Sequence, residues 1–229
     1  MAVPIVVQHA GDTTYGSSPR SKAFTSPNTG GNVLIAFAWV RFLSGTPTLT
    51  DTAGGGPGNT WVLQSQQPLS EGGQCTSLLF ICTSCLAGSN TVSLNFGGGS
   101  LGVLDFIAEI SGSGGIVDQI VSGHNASPST PYTCPSITTT KVDSLVLACF
   151  QTGVGAAGGP SIASPYVRLS NPVTGNTYSA GGAIGEASLG TYSAQVDQPG
   201  DDVGYILFNI YPGAPPLARA KPSICVVTG

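Results

Sequence analysis

The side chains able to do acid–base, nucleophilic or metal chemistry are few in this 229-residue chain, and their spacing limits what they could do. The two histidines are His9, after an apolar run, and His124, in a polar stretch. Serines abound, but no Gly-x-Ser-x-Gly elbow stands between a strand and a helix, so a Ser-His-Asp hydrolase has no anchor. Asp105 and Glu109 lie four apart in an extended run, which puts their Cα atoms ~13 Å apart on one face. That exceeds the carboxylate spacing of glycosidases unless the side chains converge. A polar outer face crossed by two acids is the plainer reading; a glycoside hydrolase is the remoter one.

Cys82 and Cys85 frame a CTSC motif. In an extended segment their side chains point to opposite faces with Cα atoms ~10 Å apart, too far for a mutual disulfide. A redox pair wants a following helix, and zinc wants a second compact ligand pair; neither is visible. Cys75, Cys82, Cys85, Cys134, Cys149 and Cys225 are therefore read as disulfide candidates or inert buried thiols. Asp51, Asp197, Asp201 and Asp202 lie in or beside carbonyl-rich loops and are the candidates for a structural calcium, which needs several converging oxygens. No other cofactor is expected. Sugars stack on exposed rings, and Tyr15, Trp61, Tyr132, Tyr166, Tyr178 and Tyr192 stand in polar or loop contexts. They are candidates for a glycan platform, or equally for half-buried rings that close the edge of a sheet.

Bulk composition narrows the partners. The net charge is −4, and the seven basic residues are scattered, so no phosphate-binding patch forms and nucleic acid is not an expected partner. No apolar run is long enough for a membrane-spanning helix, and the start MAVPIVVQHAG carries no basic leader region. Charged residues are 8% of the chain, against roughly 25% in ordinary globular proteins. Gly and Pro are frequent, at 33 and 17, while 41% of residues are hydrophobic and fall in short dense runs. Many short strands with Gly-, Ser- and Thr-rich turns suit that composition. The glycines of GGGPGNT precede no Lys-Ser/Thr pair, so they read as a turn and not a phosphate cradle.

The strands must position everything else. NVLIAFAWV, from Asn32 to Val40, reads as a buried strand with a bulky row (Val33, Ile35, Phe37, Trp39) and a slim row (Leu34, Ala36, Ala38, Val40). The bulky row is expected to face a core and the slim row to lie under another element. TSLLFICT, TVSLNF, LGVLDFIAEI, LVLACF and VGYILFNIY follow as further core strands, and no sustained helical period occurs. The pattern predicts an all-β chain: a two-sheet antiparallel sandwich, jelly-roll-like, over 1–211, with a Pro-rich extended C-terminal arm over 212–229.

The succession "NVLIAFAWV", "TPTLTDTAG", "GNTWVLQSQ", "SLLFICT", "NTVSLNF", "LDFIAEISG", "ITTTKVDSLVLACF" and "YSAQVDQPGDDVGYILFNIY" resembles a family of exported bacterial β-sandwich modules. Related jelly-roll modules decorate phage heads and fibres. The resemblance spans about residues 20–211 and implies a sandwich fold without a catalytic motif. It implies a virion, extracellular or cell-surface setting and partners that are copies of the chain or a capsid or surface scaffold. The expected role is a non-catalytic assembly subunit: a virion decoration, fibre or surface-layer protein. A carbohydrate- or cell-surface-binding module is the alternative.

Overall fold

The computed structural model describes residues 3–211 except 13, 15, 57, 69–74, 98–100, 112, 113, 115, 153–160, 170–177, 187 and 198–201. The first part of the chain carries β1 (Ile5–Ala10), β2 (Gly16–Ser17), β3 (Arg20–Ala23), β4 (Val33–Arg41), β5 (Thr48–Asp51), β6 (Val62–Pro68), β7 (Cys75–Cys82), β8 (Thr91–Asn95) and β9 (Leu101–Ser111). The second carries β10 (Ile116–Asn125), β11 (Tyr132–Thr133), β12 (Ile137–Thr138), β13 (Ser144–Thr152), β14 (Val167–Arg168), β15 (Tyr178–Glu186), β16 (Thr191–Tyr192), β17 (Gln195–Val196) and β18 (Val203–Tyr211). Among the described residues the only helical piece is a single 3-10 turn at Ala53–Gly55.

Two large antiparallel sheets face each other. One runs β1-β9-β4-β7-β6 and the other β10-β18-β13-β15-β14. β4 is central in the first, and all of Val33 to Val40 is buried. The bulky row behaves as its sequence predicts: Val33, Ile35 and Phe37 pack with Phe106, Leu147, Ile206 and Phe208 in a core between the two sheets. Trp39 extends this row beside Val103. Leu34, Ala36, Ala38 and Val40, the slim row, lie under a small sheet, β3-β8-β5, which supplies Leu49, Val92, Leu94 and Phe96. The second large sheet is covered likewise. Val146, Ala148, Phe150 and Leu207 pack beneath the ribbons β11-β17 and β12-β16. Four layers result where one pair of sheets was expected, because each large sheet is apolar on both faces and must bury both. The expected arm at 212–229 lies outside the described residues.

The strand orders show a duplicated plan. Each large sheet has the same sequence of edge, penultimate, central, next and far-edge strands, taken from the same chain positions of its half. Val33 pairs with Ile110 in one half as Leu145 pairs with Ile210 in the other. A β-bulge interrupts each first strand at the same place, between Val6 and Gln8 and between Val117 and Gln119. A positive φ precedes each central strand, 86° at Gly31 and 56° at Asp143. The halves pack so that β6 rests on β10 and β18, while β1 lies over β13, β14 and β15. Ser77 of one sheet donates to Gln151 of the other at 2.7 Å, a buried polar tie across the shared core.

Candidate functional site

The acids are engaged inside the fold. Glu109 is buried and accepts from Asn28 Nδ2 at 2.9 Å, Thr29 N at 2.8 Å and Asn32 Nδ2 at 2.6 Å, and from Gln8 Nε2. These donors come from β1 and the turn before β4, so the carboxylate clamps that turn to the sheet. Burial alone would raise its pKa; the hydrogen bonds from Asn28, Gln8, Thr29 and Asn32 win and hold it below the ordinary carboxylate range. In the second half Asn209 takes the position of Glu109, and the negative charge moves to Asp118, the bulged residue of β10. Asp118 accepts from Thr140 N at 2.7 Å, from the Thr140 hydroxyl and from Asn209. The same turn is clamped from a different strand.

Asp105 and Glu109 do not share a polar outer face. Both are fully buried, and a bulge in the β4–β9 pairing falls at Asp105. One extra residue inverts the alternation, so a spacing of four no longer keeps the two acids on one side. Asp105 instead acts on Cys149, whose thiol is pushed up by burial first and by this charge second.

The disulfide expectation is corrected: Cys75, Cys82, Cys85, Cys134 and Cys149 are buried and none of them forms a disulfide. Cys82, Cys85, Cys134 and Cys149 pack as small hydrophobes within the cores. Cys225 lies outside the described residues. Within CTSC, Cys85 donates to Thr29 O at 3.1 Å, and burial with the nearby charge of Glu109 pushes its thiol up to about 11. That environment suppresses the thiolate that redox or metal chemistry needs.

The calcium candidates are scattered. Asp51 accepts from Asn59 N and Nδ2, Trp61 Nε1 and Asn90 Nδ2, a set of donors that satisfies a carboxylate and leaves it little for a cation. Asp197 accepts from the Ser161 backbone and hydroxyl, and Asp202 is buried against His124. Asp201 lies outside the described residues. Among the described residues no group of three or more His, Cys, Asp or Glu could hold a metal ion.

The rings divide between the halves. Trp61 is half-buried over the first cover sheet and anchored to Asp51 at 2.9 Å. Tyr132, Tyr166 and Tyr192 come together, but inside the cover of the second sheet, where Tyr132 packs on Tyr205 at 6.0 Å between ring centroids. They close a core edge, the alternative that the sequence left open for each. Tyr15 lies outside the described residues, and of Tyr178 only the strand position is described.

A groove of about 340 Å³ opens where β1 crosses the second sheet. Pro4, Ile5 and His9 form one wall, and Leu145, Val167, Ala183 and Gly185 the other. Its rim is apolar and exposed, with Ile5 at 60% and Val167 at 69%. The duplicated plan explains the hollow. Leu34 pairs with Cys82 as Val146 pairs with Ile184, so Ala183 and Gly185 stand where the first half has Ile81 and Thr83. Smaller side chains at two positions leave space under β1 that Ile81 fills at the mate. Gly185 also admits the chain before β1: a Cβ there would meet Val3 Cγ1 at 3.0 Å.

The groove is not among the residues the sequence singled out, apart from His9 on its wall. Internal repetition was the available signal. Ile-Val-x-Gln recurs at Ile5–Gln8 and Ile116–Gln119, and Thr-x-Ser recurs at Thr91–Ser93 and Thr191–Ser193. The chain was compared with family models, curated proteins and solved structures, and none of them matches.

Proposed function

We propose that this protein is a non-catalytic assembly subunit, of the kind that builds virion decorations, fibres or surface layers, and that it joins copies of itself through the groove under β1. The carrying observation is the groove: an apolar hollow with Ile5 and Val167 exposed on its rim, in a chain with very few charges to oppose close packing. The engagement of Glu109, Asp51 and Asp118 by internal donors supports the same reading, since these acids serve the turns. An apolar lining suits a protein segment better than a sugar, and the described rings contribute to cores. The described cysteines form no disulfide, which withdraws disulfide stabilisation as a support for an extracellular setting, so the proposal rests on packing alone.

Light scattering after size-exclusion chromatography tests it. The full chain is expected to associate in a concentration-dependent way. Filling the groove with the first half's residue at one position, Ala183→Ile, is expected to weaken association about tenfold or more, with thermal unfolding confirming that the variant stays folded. A chain that stays monomeric at every concentration, or one whose association ignores the filling, overturns the reading.

A further inference from the structure

Resting on that reading, we propose that the occupant of the groove is the C-terminal segment Ile224–Val227 of a second copy, so that neighbouring subunits exchange arms. The chain leaves its described body at Tyr211, beside the groove: Ile210 pairs with Leu145, and Leu145 pairs with Gly185, and both Leu145 and Gly185 line the hollow. Two strand spacings, ~10 Å, separate the exit from the site. Residues 212–223 follow, with Pro212, Pro215, Pro216 and Pro222 among them. At the rise of a polyproline helix, twelve residues span at most ~37 Å. That reach is long enough to extend past its own subunit to the groove of a neighbour.

The end of the arm matches what the groove wants. Ile224-Cys225-Val226-Val227 is an uncharged apolar run in which three of the four residues are β-branched. Among the described strands β1 ends the order of its sheet, and an edge strand can pair with an added one. Charge agrees in sign: Arg219 and Lys221 lie in the arm with none of the eleven acids, so the body the arm crosses carries the net negative charge.

The native Cys225 provides the probe. Ile5→Cys and Val167→Cys variants of the full chain are oxidised and run without reductant, each with and without Cys225→Ser. The proposal expects a covalent dimer that Cys225→Ser removes. In parallel, Ile224→Asp with Val226→Asp is expected to weaken association about tenfold or more, while Leu189→Asp, at another exposed apolar position, leaves it unchanged. Thermal unfolding confirms that each variant is folded. A bond within one chain overturns the exchange. Association that persists in the double Asp variant with no crosslink overturns the docking and leaves the assembly reading standing. A monomer at all concentrations overturns both.

Discussion

Glu109 shows how much a single acid can hold. Its four donors come from Gln8, Asn28, Thr29 and Asn32, so losing the carboxylate orphans several buried N–H groups at once. Because its pKa is lower folded than unfolded, its contribution is complete above the ordinary glutamate value of 4.5 and fades as pH falls through the depressed folded value. Glu109→Gln is therefore expected to cost about 2 kcal/mol in urea unfolding at pH 7, and less at pH 3, below the unfolded value, where the unfolded chain takes up a proton at this position. An equal cost at both values would sink the clamp. Gly31 and Asp143 make a second residue-scale case, since both hold a positive φ at equivalent turns. Asp tolerates that conformation and β-branched residues do not. Gly31→Val should lower stability by about 2 kcal/mol, as read from denaturant midpoints. The acids were visible in the sequence, but their donors were not, because these lie up to 101 residues away along the chain.

At the scale of the element, alternation carried most of the information. Val92, Leu94 and Phe96 of β8 and its following turn, and Ile206, Phe208 and Ile210 of β18, face the cores that their spacing predicts. β9 departs from its pattern: Phe106, Ala108 and Ile110 enter the shared core while Leu104 turns to the other side. The bulge at Asp105 is the cause, and a bulge leaves no mark in side-chain type alone. β15 is legible only in hindsight. The glycine-rich sequence from Asn171 to Gly182 reads as a turn region, yet Gly181 lies in β15 and lets the sheet close over Phe106, whose Cε1 would be 2.6 Å from an added Cβ. Gly181→Ala is expected to cost about 1–3 kcal/mol in urea unfolding, with Phe106→Leu recovering part of the loss. Additive costs in the double variant would show that the two positions do not press on each other.

For the whole molecule, the shared core makes the halves dependent on one another. Phe37 of the first half and Phe208 of the second are both fully buried in it. Either Phe→Ala change is expected to destabilise by about 3–5 kcal/mol and to shift a single calorimetric transition. Two separate peaks, each answering to one substitution, would show independent halves instead. Taken alone, the sequence determined that the chain is all-β, which rows of β4 are bulky and slim, and that both rows are apolar, because alternation is a local property of adjacent residues. Only the tertiary structure decided that the apolar faces stack into four layers on a duplicated plan, that the five described cysteines form no disulfide, and that a groove opens under β1. Those outcomes depend on which distant strands meet and on the volume left between them. At the groove that volume is set by Ala183 and Gly185 standing opposite β1, where the other half has Ile81 and Thr83.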